Sequence, residues 1–406
     1  MVLTPAALPV KIVASSLIDQ DGALLLRYGT SRDGTLRKKA HIYTREEHGI
    51  DPKLVDADAL WVIRQLRRAG FHAYVVGGAV RDLLLGRVPN DFDVATDAHP
   101  QKIKRVFRSA RIIGRRFRIV HVYSSREKFI EVTTFRARAS AEHENTFGTM
   151  EEDAARRDFT FNALYYCPVD QQLIDCVEGY PDIRKRLVRT LIPAEGSFIE
   201  DPVRMIRMVK YAILTGFPIP SAMGALVRRH GDSLLACSRE RVTEEVYKIL
   251  ASGAAADILE LAHRLRLFDV LFPSLAAAVR ASRKKFAETV LAERLRALDA
   301  AAREGRPLAR DSMFGFLFRD LVLEREDLLM DPDPGMLVQS YIRSASEPLF
   351  PSKKDLAVAA ESLLKEAGWQ PPPPAAVEQR AAGGGRRSGR RGRRRRRRGP
   401  PRVLPA

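Results

Sequence analysis

Apolar positions recur at helical spacing from Asp58 to Ala69, where Leu60, Ile63 and Leu66 share one face and Gly70 supplies a stop. The next apolar run, Ala73-Tyr-Val-Val76, is too short for a helix and reads as a buried strand ending in Gly77-Gly78. Ala79 to Leu85 predicts a helix closing at Gly86. Asp91-Phe-Asp-Val94 reads as a second strand, Pro100 to Phe107 as a helix, and Phe117–Tyr123 and Phe129–Phe135 as a third and fourth strand. Interleaved strands and helices predict an α/β unit with a mixed sheet.

After about residue 190 the strand pattern stops. Asp201–Leu214, Arg239–Ala251, Ala254–Arg266, Phe286–Ala302, Arg310–Leu323 and Leu356–Ala367 all carry helical spacing. The chain is therefore expected to be α+β, with a mixed-sheet head and an all-helical second half. Residues 1–50 are polar and read as an irregular extension. Gln370 to Pro374 is a polyproline spacer, and the Gly/Arg sequence beyond it cannot pack a core, so a disordered tail is expected.

Charge sharpens this division. The 406 residues carry a net charge of +18, but 12 arginines and no acid lie between Arg380 and Arg402, which leaves only +6 elsewhere. A mildly basic body thus joins a very basic tail. At 45% apolar residues the chain is not wholly disordered. No run reaches the roughly 18 apolar residues of a spanning helix. Met1–Ser16, interrupted by Pro5, Pro9 and Lys11, makes a poor signal peptide, so a soluble cytoplasmic protein is expected. Cys167, Cys176 and Cys237 have no CxxC spacing and argue against structural zinc or a disulfide framework.

Three features carry candidate chemistry. Gly77-Gly78 at a strand–helix corner lets backbone N–H groups approach an anion, and Arg81 could add a phosphate contact; the same pair also makes a plain tight turn. Asp91 and Asp93, two apart on a strand, point to one face about 6.5–7 Å apart. That spacing suits a pair of divalent metals, or else an exposed strand edge. Glu131 sits in an apolar strand, where a third metal-binding carboxylate or an ion pair with Arg136 or Arg138 would explain it.

Together these residues resemble the class II nucleotidyltransferases, the bacterial poly(A) polymerases and the CCA-adding enzymes of tRNA. The resemblance rests on Val76-Gly-Gly-Ala-Val-Arg-Asp82, Asp91-Phe-Asp-Val94, Glu131-Val-Thr-Thr-Phe-Arg136, Arg156-Arg-Asp-Phe-Thr-Phe-Asn-Ala163 and Glu200-Asp-Pro-Val-Arg204 with Arg207, in that order. It implies attack of an RNA 3′-hydroxyl on the α-phosphate of a nucleoside triphosphate. Asp91, Asp93 and Glu131 would hold two Mg²⁺ ions, or Mn²⁺, with Asp158 counted among the catalytic acids. Gly77, Gly78, Arg81, Arg136, Asp158, Asn162, Asp201, Arg204 and Arg207 would bind the nucleotide. Asp158 also suits a helix cap. The implied organisation is an extension (1–50), a catalytic head (51–190), a base-reading and RNA-binding neck (191–255), a helical body (256–369) and the linker and tail (370–406).

Asp201 and Arg204 match the donor–acceptor edge of adenine or cytosine and mismatch guanine and uracil. They also suit an ordinary helix start with an i,i+3 ion pair. Lys210 stands where the family often has a third arginine, which loses the planar fork. Ile112-Ile-Gly-Arg-Arg-Phe-Arg-Ile-Val-His-Val122 is similar to the segment marking bacterial poly(A) polymerases, and its Arg115, Arg116 and Arg118 suit RNA contact or a solvated loop. The tail, including Arg393, Arg394 and Arg395, reads as a nonspecific RNA tether, or as a surface-adhesion or solubilising extension. The expectation is AMP addition from ATP to RNA 3′ ends, in mRNA polyadenylation and RNA decay, by a monomer that meets RNA and the decay machinery. The alternatives are tRNA CCA or A addition and a non-catalytic RNA-binding protein.

Overall fold

The computed structural model describes residues 25–30, 36–114, 118–126, 128–137, 147–329, 331 and 333–369. Nine strands are described: β1 (Leu25–Thr30), β2 (Leu36–Tyr43), β3 (Ala73–Val76), β4 (Asp93–Thr96), β5 (Ala110–Ile113), β6 (Ile119–Tyr123), β7 (Phe129–Thr134), β8 (Leu164–Cys167) and β9 (Gln172–Asp175). They form one sheet in the order β1-β2-β9-β8-β3-β4-β7-β6-β5. β4 and β7 are parallel, and the other neighbours are antiparallel, so the sheet is mixed as expected.

The first ten helices are α1 (Arg45–His48), α2 (Ala57–Arg68), α3 (Gly78–Leu84), α4 (Pro100–Val106), α5 (Met150–Ala155), α6 (Gly179–Arg184), α7 (Ala194–Glu200), α8 (Val203–Thr215), α9 (Ser221–His230) and α10 (Arg239–Leu250). Further helices continue from Ala255–Arg264 to Lys353–Glu366, and no strand follows β9 among the described residues.

β3 is buried at every position, which explains its unbroken apolar run. Its side chains serve two cores. Val75 joins Val94 and Val132 in a large cluster that also holds Ile63 and Leu66 of α2. Tyr74 and Val76 join Ala95, Phe135, Tyr165 and Met150 and Ala154 of α5 in a smaller one. α2 is fixed at its start by Asp56, whose carboxylate accepts from the backbone N–H of Asp58 (2.8 Å) and Ala59 (3.2 Å). The large cluster runs on into the helical half as far as Leu364, so the sheet and the helices share one core. Phe159 and Phe161 stack face to face at 5.3 Å and both meet the edge of Tyr211 on α8 at 5.9 Å.

Several expectations need correction. Part of the segment read as an irregular extension is ordered: β2 pairs with β9, with His41 opposite Asp175. The apolar signal of β2 is diluted by Arg37, Lys38 and Lys39, and its partner strand lies far along the chain. β5, β8 and β9 were not expected at all; each is only four residues long. The strand that was to carry both aspartates begins at Asp93, and Asp91 precedes it. The same-face argument holds locally all the same, because Phe92 is buried while Asp91 and Asp93 are exposed.

Candidate active site

β3 turns into α3 at Gly77, whose φ of 76° and ψ of −131° favour a residue without a side chain. A methyl group there would also lie 3.4 Å from Arg157 Nη1. The tight corner is therefore present. Arg81, expected to face phosphate, turns inward instead. It is 6% exposed, and its fork donates to both carboxylate oxygens of Asp82 (2.8 and 2.9 Å) and to Asn162 Oδ1 (2.9 Å). Three of its five N–H donors are held by the fold, which makes it a support for the corner. Asn162 is likewise held, donating to Asp158 Oδ1 at 3.2 Å.

The carboxylates meet across the parallel ladder. Asp93 on β4 is directly opposite Glu131 on β7, and His121 on β6 is opposite Glu131 in turn. His121 Nε2 lies 3.8 Å from Glu131 Oε2. Loss of hydration pushes His121 toward its neutral form, so this is a polar contact more than an ion pair. Asp93 is crowded by protein while its tip still reaches solvent. Its carboxyl is pushed up to about 6, first by lost hydration and then by the charges of Glu131 and Asp91. Lost hydration also raises Glu131, with Arg136 and Lys248 pulling the other way. No ion pair to Asp91 or Asp93 is formed among the described residues. Arg136, half-buried, has its guanidinium in the field of Arg156 and Arg157 on one side and Asp153 and Glu131 on the other.

Among the described residues no three His, Cys, Asp or Glu side chains are drawn together into a closed metal cage. The donor set nevertheless fits Mg²⁺. Two in-register carboxylates, both raised first by lost hydration and then by neighbouring acids, are an oxygen-rich site in need of a cation, and Mg²⁺ commonly takes one or two carboxylates plus substrate phosphates.

Behind the carboxylates runs a buried charge network. Asp153, 1% exposed, accepts from Arg156 (2.6 Å), Arg157 (3.0 Å) and the Tyr165 hydroxyl (2.7 Å). Burial opposes its ionisation, but Arg157 and Arg156 outweigh that and hold it below its ordinary value. Asp158, rather than capping a long helix, accepts from the Phe159 N–H at 2.8 Å and pairs with Arg207 of α8 at 3.0 Å. Arg207 also lies 3.8 Å from Glu245 of α10, and Glu245 pairs with buried Lys210 at 2.5 Å and with Lys248 at 3.6 Å. Arg81, Arg207 and Lys210 all lie within 4.9 to 5.8 Å of the Tyr211 ring centre. Lys210 is thus a structural cation held by Glu245.

The side chains of Asp201 and Arg204 form no ion pair among the described residues; their i,i+3 contact is the backbone bond from the Arg204 N–H to the Asp201 carbonyl at 3.0 Å. Arg204 donates to Ser197 Oγ at 3.0 Å and Glu200 at 3.3 Å. Asp201 accepts from Arg241 of α10 at 2.8 Å through Oδ2, while its Oδ1 is buried with no hydrogen-bond partner among the described residues. An unpaired buried acceptor is costly. Pro202 sits just before α8, which starts at Val203.

Arg118 is exposed beside β6, whereas Arg115, Arg116, Arg393, Arg394 and Arg395 lie outside the described residues. The sequence reading missed Arg157, Asp153, Tyr211, Arg241, Glu245 and Lys248. Arg157 is the second residue of the Arg156–Ala163 motif, where it was given no role of its own, and Asp153 lies three residues before that motif. The α10 trio Arg241, Glu245 and Lys248, one to two turns apart, looks on its own like any solvated helix face.

Residues 73–189 match the family model described as "Poly A polymerase head domain", and residues 216–279 match "Probable RNA and SrmB- binding site of polymerase A". The Poly(A) polymerase I of Haemophilus influenzae is 35% identical over 311 residues, which cover 73% of this chain and 69% of that protein. The Poly(A) polymerase I of Salmonella typhi is 35% identical over 299 residues, covering 70% of this chain but 64% of its own length. The CCA-adding enzyme of Geobacillus kaustophilus is 38% identical over 230 residues, covering 55% and 56%. A structure of a CCA-adding enzyme in apo form II has the same fold, with a TM-score of 0.50 at 20% identity over 80% of this chain and 86% of that one. The chain spans about two thirds of the length of the poly(A) polymerases it matches. Likeness at that level, running through both the head and the region beyond it, means that this chain belongs to the nucleotidyltransferase family of poly(A) polymerase I and the CCA-adding enzymes.

Proposed function

We propose that the protein transfers AMP from ATP to RNA 3′ ends without a nucleic-acid template and releases pyrophosphate, in RNA polyadenylation and decay. The observation that carries this reading is the in-register pair Asp93–Glu131, with Asp91 beside it, set next to the Gly77 corner in a protein of this family. The RNA 3′-hydroxyl oxygen attacks the α-phosphorus, the bond to the β-phosphate breaks, and pyrophosphate departs. Mg²⁺ held by Asp91, Asp93 and Glu131 would make the hydroxyl more acidic and neutralise triphosphate charge. Gly77 and Gly78 give the triphosphate close access to the backbone.

Base choice follows from α7, α8 and α10. Arg241 takes one oxygen of Asp201 and turns the other into a fixed acceptor. The Asp201 carboxylate would accept from the exocyclic amine of adenine, while the Arg204 fork, steadied by Ser197 and Glu200, would donate to the adjacent ring nitrogen. Guanine and uracil would put a carbonyl against Asp201. The 35% identity to named poly(A) polymerases and the Gly114–Val122 segment favour ATP. The test is incubation with Mg²⁺, an unstructured RNA and each nucleoside triphosphate separately. A ladder of A alone is expected.

A second reading, tRNA CCA or A addition, is favoured by the CCA-adding relatives, since the Asp201–Arg204 edge also accepts cytosine. Short, terminated CMP-then-AMP products on tRNA, with no ladder on other RNA, would establish it instead.

A further inference from the structure

The smaller hydrophobic cluster and α5 cover one face of the sheet over β8, β3 and β4. Among the described residues that cluster does not extend over β7, β6 and the edge strand β5, where the same face carries exposed and half-buried side chains. Burial alternates along β7 and β6, so Phe129, Glu131, His121 and Tyr123 project on that face while Ile130, Val132, Val120 and Val122 project into the core. Phe129 is 42% exposed. Its ring stacks on His121 at 4.0 Å with an interplanar angle of 11°, and Tyr123 lies 5.6 Å away. Arg111 of β5 covers the Tyr123 ring at 5.3 Å.

These groups are registered to the acids. Arg111, His121, Glu131 and Asp93 form one cross-strand row, and Tyr123 opposite Phe129 forms the next. One row spans about 6.5–7 Å along a strand, close to one extended nucleotide.

We propose that this face is a stacking platform for the single-stranded 3′ end of the RNA, with a terminal base lying on Phe129 and its hydroxyl reaching toward Asp93 and Glu131. The proposal rests on the reading of those acids as the transfer site. Three observations select a single strand as the occupant. The exposed Phe129 ring, stacked on His121, begins an aromatic stack that a base of any kind can continue, as in single-strand binders. Arg111 and Arg118 supply positive charge on the same exposed edge, which complements phosphate. The platform is continuous with the acids through the ladder, so a strand lying on it arrives at the chemistry without a turn.

The test uses the full chain without ATP, and RNA carrying 2-aminopurine either at its 3′ terminus or at its 5′ terminus. Stacking quenches that base. Quenching is expected at the 3′ position, with loss in Phe129→Ala and recovery in Phe129→Trp. Because Phe129 is exposed, thermal melting should not move. In primer-extension assays Phe129→Ala should raise the KM for RNA about tenfold, the size of one lost base–aromatic stack, with the KM for ATP unchanged. If the wild type extends RNA while quenching and RNA KM are identical in Phe129→Ala, the platform is wrong and the polymerase reading stands. If no triphosphate is incorporated yet 3′ quenching depends on Phe129, the platform stands and the polymerase reading fails. A change in oligomeric state in Phe129→Ala, with RNA contact intact, would overturn the proposal in favour of a protein-docking face.

Discussion

As a carboxylate, Asp93 is a cost to the fold. Its carboxyl is raised from an ordinary 3.8 to about 6 by lost hydration and by Glu131 and Asp91. Below the unfolded value both states hold the proton and there is no penalty. Between 3.8 and about 6 the folded state binds the proton more tightly, so stability falls as pH rises, and the whole penalty is present above 6. Asp93→Asn should therefore melt higher than the wild type at neutral pH, match it in strong acid, and lose nucleotide transfer. Melting curves without metal at several pH values check this; an Asn variant that melts lower at neutral pH would contradict it. The motif that flags Asp93 was legible because Asp is disfavoured in strands and demanded a reason. Arg81 was misread for the opposite cause. An arginine near a glycine corner suggests a phosphate contact, and only the folded chain reveals that Asp82 and Asn162 already occupy its fork.

At the scale of elements, what could be read was local. The β3–α3 corner, the β7 strand and helices such as Val203–Thr215, Arg239–Leu250 and Ala255–Arg264 declare themselves within a dozen residues through apolar period and punctuation, whereas Ser221–His230, Pro273–Ala281 and Pro334–Ala345 do not. β8, β9 and β2 did not, because four- to eight-residue strands mean little until a distant partner completes their ladder. α10 shows the same gap at the site: that its Lys248 acts on Asp93 and Glu131 is a tertiary fact. Glu245 is the point where α10 grips α8, facing Lys210, Arg207 and Lys248, and burial opposes its ionisation while Lys210 and Arg207 outweigh that. Glu245→Gln leaves Lys210 buried without its countercharge. The expected loss is about 3–5 kcal/mol in urea unfolding, the usual cost of breaking a buried pair. It should also weaken ATP binding, because Arg207 loses one of its two acidic partners.

Across the whole molecule, charge and chemistry occupy different places. The acids of the proposed site belong to a body of +6, while 12 arginines sit between Arg380 and Arg402. Removing residues 375–406 should weaken RNA binding and flatten its dependence on salt, with nucleotide transfer at saturating RNA retained. Equal salt slopes for the two proteins would refute a tethering role. The lone parallel pair, β4 with β7, has a different consequence. Asp93 and Glu131 are kept apart by the spacing between neighbouring strands, about 4.8 Å, and by no loop. Residues 97–128, which cross over between them and carry β5 and β6, are free to lengthen or shorten while the acids stay in place. A single residue inserted within β7, in contrast, would swing Glu131 into the hydrophobic interior. Descendants of this chain can therefore edit the crossover without disturbing the spacing of the acids, but the parity of one six-residue strand is closed to experiment.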